Sequence, residues 1–71
     1  MQFDYSKLLG RIKEFGHTQE SLAKEIGMTK ATMSLKLNNK AFFTQPEIEK
    51  IRRILCIPHD QIGAYFFTPK V

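Results

Sequence analysis

The sequence has few of the residues that build disulfides and metal sites. Its 71 residues include one cysteine, Cys56, two histidines, His17 and His59, and no tryptophan. A single cysteine cannot form an internal disulfide, and one cysteine with two histidines does not complete a tetrahedral zinc site. We therefore expect no cofactor, no metal and a reduced, cytoplasmic setting for the chain, near the bacterial nucleoid if it binds DNA.

Catalytic patterns and long hydrophobic runs are also missing. The sequence contains no serine–histidine–aspartate spacing, no glycine-rich phosphate loop and no carboxylate pair expected to share a cleft. No apolar run approaches the roughly 20 residues that a membrane helix needs, and the first residues lack a signal-peptide core. These absences argue against an enzyme and against a membrane partner.

What the sequence does contain is the composition of one small folded domain with excess positive charge. Hydrophobic residues make up 42% of the chain, charged residues make up 25%, and the formal net charge is +4. The chain is too short for a second domain, so residues 1–71 are predicted to form a single one. The positive charge favours an acidic partner, of which nucleic acid is the commonest.

Hydrophobic periodicity predicts an all-α fold. Asp4 is expected to cap the first helix, Gly10 within that helix to mark a close helix crossing, and the end of the chain from Thr68 to be frayed. Thr44 and Glu47 have the spacing of a capping box, with a proline in the first turn. Of the adjacent phenylalanines 42 and 43, only one is expected to enter the core. The predicted helices span residues 5–15, 19–26, 30–38, 45–56 and 58–66.

Residues 18–40 have the pattern of two short helices joined by a tight turn. Gly27 suits the position that ends the first helix, because a left-handed backbone costs little without a Cβ. Ala23 is small where the axis of the second helix must pass close to the first. The other signals are two threonine N-caps and four inward apolar positions: Thr18, Thr29, Leu22, Ile26, Met33 and Leu37. This pattern is typical of a helix-turn-helix.

The outward face of the second helix decides what this pair can bind. Residues 29–40 contain three lysines and no acid. Such a face can meet phosphates while it offers short side chains to base edges. The alternative is a helical hairpin in a small bundle, whose lysines form an ordinary solvated face. The residues expected to face outward are Thr29, Lys30, Ala31, Ser34 and Leu35.

At these positions the chain resembles the Cro/C1-type helix-turn-helix family, and in particular small Cro-like regulators of bacteriophages in Gram-positive hosts. The resemblance implies a compact five-helix, lambda-repressor-like domain with its motif at residues 18–38. It also implies a transcriptional regulator that binds operator DNA as a repressor. Asn38-Asn39-Lys40 stands where the family usually has Asn-Gly-Lys. The other matching residues are Gln19, Leu22, Ala23, Ile26, Gly27, Met28 and Met33.

The DNA-binding hypothesis assigns a role to each exposed residue of the motif. Lys30 is the best candidate for a guanine contact, because it is a flexible donor at the leading end of the helix. The resemblance implies that Gln19 touches a base or supports the recognition helix. The base-reading candidates are Gln19, Thr29, Lys30, Ala31, Ser34 and Leu35. The phosphate candidates are Thr18, Thr32, Lys36, Asn38, Asn39 and Lys40. The expected partner is double-stranded operator DNA, bound by a weak homodimer.

Two departures from the family motivate a second hypothesis. The family commonly has an apolar residue at the position of Lys36 and a polar one at that of Leu35. This difference leaves open whether the recognition helix is rotated about its own axis relative to the same helix in the family. An exposed Leu35 beside phenylalanines could instead bind a protein, as in a phage antirepressor that docks on the DNA-binding domain of a partner repressor. An antitoxin component is a third hypothesis and rests on fold analogy alone. The possible protein interface comprises Leu35, Phe42, Phe43, Ile62, Tyr65 and Phe67, with the dimer seam at the last helix.

Overall fold

The computed structural model describes residues 2–71, which form five α-helices and one short 3₁₀ helix. The all-α prediction is confirmed, since residues 2–71 contain an isolated β-bridge but no β-strand. The first four helices match their predicted ranges to within two residues at either end. The predicted last helix is divided, because residues 59–61 are 3₁₀. The helices are α1 (Ser6–Glu14), α2 (Gln19–Glu25), α3 (Lys30–Leu37), α4 (Gln45–Ile54) and α5 (Ile62–Phe66).

All five helices contribute to one hydrophobic core. Each helix buries two apolar side chains that lie one, three or four positions apart, as expected when one face of a helix is turned inward. Ile57, in the connection after α4, is buried with them. The helix residues of the core are Leu8, Ile12, Leu22, Ala23, Met33, Leu37, Ile48, Ile51, Tyr65 and Phe66.

The first four helices end with the same backbone motif. In each, the residue after the C-cap has a positive φ: Gly16 at 72°, Gly27 at 77°, Asn39 at 62° and Cys56 at 52°. The next N–H then donates to a carbonyl five residues earlier, as Lys40 does to Leu35 at 2.8 Å. This is the Schellman arrangement, which satisfies carbonyls that the helix end would leave unpaired. It reverses the chain sharply, so helices of only 7–10 residues can surround one core.

Threonine caps begin the next three helices, as predicted. The hydroxyls of Thr18, Thr29 and Thr44 each accept an amide N–H from the first turn. In α4 the capping box is complete, because the Glu47 carboxylate accepts the Thr44 N–H at 2.9 Å. For α1 the prediction is corrected: Tyr5 occupies the N-cap position, and Asp4 accepts the Ser6 N–H from just outside the helix.

Two other local predictions are wrong. Gly10 marks no close crossing, since a Cβ added there would meet no atom within 4 Å. The end of the chain is paired rather than frayed: the Asp4 N–H donates to the Thr68 carbonyl, and the Lys70 N–H donates to the Gln2 carbonyl. Both ends of the described chain therefore meet beside the core. No helix within residues 2–71 combines the length and apolar character that crossing a bilayer requires.

Candidate functional site

The α2–α3 pair presents one side of α3 to solvent. Leu22 and Ala23 of α2 and Met33 of α3 are completely buried in the common core. Leu37, one turn beyond Met33, is also buried. These inward positions leave Lys30, Ala31 and Leu35 exposed, whereas Thr32 and Ser34 are half-buried. Of the five residues expected to point outward, Thr29, Lys30, Ala31 and Leu35 are therefore exposed, and Ser34 is half-buried.

Leu35 and Phe42 are the large apolar side chains exposed in this region. Leu35 is 50% exposed and Phe42 is 70% exposed. Phe43 instead packs against the core, with its ring centre 5.7 Å from that of Tyr5 and 5.6 Å from that of Phe66. The expectation that only one of the two phenylalanines enters the core is met. We use the name α3–loop surface for the exposed residues Lys30, Ala31, Leu35, Lys40 and Phe42.

Lys36 does not belong to this surface. Only 10% of its side chain is exposed, and its ammonium pairs with the carboxylate of Glu47. Burial opposes ionisation of Glu47, but hydrogen bonds from Lys36 and Thr44 outweigh that effect and lower its pKa. This placement corrects the expectation that Lys36 lies along a phosphate backbone. Lys36 occupies an inward position, where the Cro/C1-type family that the sequence resembles commonly has an apolar residue, and Leu35 is left outside.

Asn39, also expected at a phosphate, is bound within the molecule. Its Oδ1 accepts the Phe3 N–H at 2.8 Å, and its Nδ2 donates to the Phe3 carbonyl at 3.0 Å. The neighbouring Asn38 is exposed, and its amide donates to the Ser34 carbonyl at 2.8 Å. Both asparagines therefore stabilise the end of α3. Of the two, only the Asn39 amide has both its donor and its acceptor engaged by one residue.

Lys30 and Lys40 are exposed at the two ends of α3. Neither forms an ion pair within residues 2–71. The carboxylate of Glu49, in contrast, is shared by Arg52 and Arg53 on α4, which lower its pKa to about 2. Lys30 and Lys40 therefore leave two positive charges, one at either end of α3, that no ion pair within residues 2–71 neutralises.

Gln19 lies apart from Leu35, at the start of α2. It is half-buried and lines a cleft of about 480 Å³ between the end of α1 and the start of α2. The neighbouring Thr18 is exposed, but its hydroxyl accepts the Ser21 N–H at 3.0 Å. Likewise, the exposed Thr29 hydroxyl accepts the Thr32 N–H at 3.1 Å. The base-reading and phosphate roles of these residues stay predictions.

The burial of Tyr65 removes one residue from the homodimer interface predicted at the last helix. That side chain is only 5% exposed, which corrects its assignment to an interface. Ile62 is half-buried against the core. Phe67 is 49% exposed, with its ring edge-on to that of Phe3 at 5.6 Å. With Tyr65 buried, the predicted seam is reduced to Ile62 and Phe67, and the homodimer stays a prediction.

Sequence reasoning missed Phe3 and Glu47 as partners of the α3 end. The sequence pattern identifies Glu47 only as part of a capping box. No local pattern identifies these contacts, because Asn39 and Phe3 are 36 positions apart and Lys36 and Glu47 are 11 apart. The one available signal was a charged residue at the inward position 36, which must find a partner if it is buried.

The chain is similar in sequence and in structure to a solved phage protein. The solution structure of the modulator of repression (MOR) of the temperate bacteriophage TP901-1 from Lactococcus lactis superimposes with a TM-score of 0.81. That protein is 42% identical to this chain, and the match covers 100% of this chain and 96% of the other. No curated protein matches. A model of the DUF739 family, described as proteins of unknown function, matches residues 1–69. The chain therefore belongs to the DUF739 family.

Proposed function

We propose that this chain is a phage regulatory protein that binds a repressor protein through its α3–loop surface. The observation that carries the proposal is the exposure of Leu35 and Phe42, at 50% and 70%, on the same helix end whose Lys36 and Asn39 are engaged internally. This end of α3 therefore offers a partner two apolar anchors and only a few free polar groups. A protein surface fits such a site better than a phosphate backbone does.

The energetics of exposed apolar groups support this proposal. Burying apolar surface contributes about 25 cal/mol per Å², and a phenylalanine can bury about 150–250 Å². Because Phe42 is 70% exposed, burying the rest of its surface can contribute about 3–4 kcal/mol to an interface, before the cost of association is subtracted. Lys30 and Lys40 flank the anchors and would lie at the polar rim, where charges affect the association rate more than affinity.

The similarity to MOR also supports a regulatory role. That protein is described as a modulator of repression, and the likeness extends over this whole chain at 42% identity. A protein that modulates repression can act on the repressor itself. We infer that the contacted part is the repressor's DNA-binding domain, because occupying it would prevent operator binding directly. In that case the chain acts as an antirepressor.

Operator DNA is the second candidate partner. It is favoured by Lys30 and Lys40, which are exposed and form no ion pair within the described residues 2–71. In this mode Lys30 would reach a guanine edge, and Lys40 would meet a phosphate. Lys36 no longer contributes, so the number of phosphate contacts and the salt dependence should both be lower than its lysine count suggests.

A binding series with alanine variants distinguishes the two functions. The full-length repressor encoded in the same phage genome and the DNA between the two genes serve as separate probes. If the chain binds the repressor, Leu35→Ala and Phe42→Ala should each weaken that complex at least about tenfold, whereas Lys30→Ala and Lys40→Ala change it little. Leu9→Ala is the matched control, because Leu9 is 39% exposed on α1.

The DNA arm of the series has a different signature. DNA binding should weaken steeply with salt. Lys40→Ala should weaken binding to all DNA sequences alike, and Lys30→Ala should also relax the base preference at one position, at a cost of about 1–3 kcal/mol.

If Leu35→Ala and Phe42→Ala both bind the repressor as tightly as the unsubstituted protein does, the α3–loop surface is excluded as the repressor site.

A further inference from the structure

The loop that carries Phe42 is held at both of its ends. At one end, Asn39 bonds to the backbone of Phe3. At the other end, the ring of Phe43 packs edge-on against the rings of Tyr5 and Phe66. Only two residues separate Asn39 from Phe42. The 70% exposure of Phe42 is therefore imposed by fixed neighbours on either side of it.

Asn39 combines two roles that no glycine can combine. Its φ of 62° completes the Schellman end of α3, where glycine would be the easier residue. Its carboxamide also makes two hydrogen bonds to a single residue, accepting from the Phe3 N–H and donating to the Phe3 carbonyl. The side chain thereby pairs with Phe3 as the backbone of a neighbouring strand would.

The N-terminal segment around Phe3, to which Asn39 bonds, is itself hydrogen-bonded to the end of the chain. The Asp4 N–H donates to the Thr68 carbonyl at 2.7 Å, and the Lys70 N–H donates to the Gln2 carbonyl at 2.9 Å. Phe3 also packs against the core and contacts the ring of Phe67. Asn39 is thus bonded to a fixed part of the molecule. These bonds also hold the start of the loop that follows Asn39.

We propose that Asn39 is a positioning residue that holds Phe42 in its binding conformation before the repressor arrives. The inference rests on the proposed function, because it assigns Phe42 as an anchor of that interface. Ordering a side chain and its loop on binding costs free energy, so an anchor that is already ordered binds more tightly. Without the Asn39 bonds, the first half of the loop is free to move, and Phe42 can fold onto the apolar surface nearby.

The test is a double-substitution cycle between Asn39 and Phe42. Asn39→Gly keeps the positive φ but removes both hydrogen bonds to Phe3, and should weaken binding to the full-length repressor about threefold to tenfold. Phe42→Ala should weaken it more. The combined variant should bind no more weakly than Phe42→Ala alone, because Asn39 acts through Phe42. Cys56→Gly is the matched control, since it makes the same kind of change at the end of α4 and should leave affinity unchanged.

Backbone dynamics supply a readout that needs no partner. In Asn39→Gly, the amides of residues 40–42 should show lower ¹⁵N order parameters, and the Phe3 N–H should exchange faster with solvent. A merely structural role for Asn39 would lower the overall stability without loosening this loop selectively.

Each result decides between the alternatives. If Asn39→Gly binds like the wild type while Phe42→Ala is impaired, or weakens binding by the same factor in the Phe42→Ala background, then Asn39 does not position Phe42. Unchanged order parameters at residues 40–42 would also overturn the inference. If Phe42→Ala itself binds normally, the proposed interface is wrong at Phe42, and that result identifies the failure of the proposed function.

Discussion

The ammonium of Lys36 lies 2.5 Å from a carboxylate oxygen of Glu47, and this pair joins the last turn of α3 to the first turn of α4. The same carboxylate oxygen accepts the Thr44 N–H. One glutamate therefore completes the cap of α4 and neutralises the buried lysine of α3. The position of the loop between the two helices depends on both contacts.

Replacing Lys36 with methionine should destabilise the protein. The substitution leaves Glu47 without its cationic partner, although Thr44 still donates to it and its side chain is 24% exposed. We therefore expect a loss of about 1–2 kcal/mol in the free energy of unfolding, below the 3–5 kcal/mol typical of a fully buried pair. Urea denaturation measures this. Lys50→Met, at an exposed position of α4, is the control, and an equal effect of both substitutions would show that the pair contributes nothing.

Acid should weaken the fold through Glu49. Hydrogen bonds from Arg52 and then Arg53 lower its pKa from 4.5 to about 2. A carboxylate whose pKa is lower in the folded state stabilises the protein above the unfolded pKa, and this contribution is lost as the pH falls toward the folded value. The urea midpoint should therefore decrease between about pH 4.5 and pH 2, and Glu49→Gln should flatten part of that decrease. Glu20→Gln, which changes an exposed glutamate of α2, should leave the profile as it is.

Replacing Cys56 with glycine should stabilise the protein. Cys56 has a φ of 52°, a conformation that costs an ordinary residue about 1–2 kcal/mol. Part of the gain is offset because glycine gives the unfolded chain more freedom, so we expect a net increase of up to about 1 kcal/mol. Thermal or urea unfolding measures it. Asn39→Gly relieves the same kind of strain but removes two hydrogen bonds, so it should not stabilise; a similar gain from both would mean that those bonds are worth little.

Arg11 should be important for stability although it lies on the outer side of α1. Its Nε donates to the Leu55 carbonyl and its Nη2 donates to the Cys56 carbonyl, both at 2.9 Å. Removing these charged hydrogen bonds by Arg11→Met should cost about 1.5–3 kcal/mol. Arg11→Lys should recover only part of the loss, since an ammonium lacks the planar pair of donors.

The exposed Lys13 on the same helix supplies the control for Arg11. Lys13→Met should change stability by less than about 0.5 kcal/mol. Full recovery in Arg11→Lys would indicate that charge alone, rather than the paired hydrogen bonds, stabilises the end of α4.

The first four helices, and most of their ends, could be predicted from the sequence alone. Three threonine caps, the capping box of Thr44 and the glycine after α2 were readable because each depends on residues at most five positions apart. The inward positions followed from helical periodicity for the same reason. Even the division between Phe42 and Phe43 followed from local geometry, since two adjacent loop side chains cannot both turn inward.

Which polar and aromatic residues stay free to bind a partner depends on how the helices pack together. Lys36, Asn39 and Tyr65 look available in the sequence, but Lys36 pairs with Glu47, Asn39 bonds to Phe3, and Tyr65 is buried beneath Lys7 of α1. Such contacts depend on how separate elements meet in space, and no periodicity or short spacing encodes that arrangement. The α3–loop surface was therefore visible in the sequence as a set of candidates. Packing engages two of the phosphate candidates, Lys36 and Asn39, within the molecule and leaves Leu35 and Phe42 exposed.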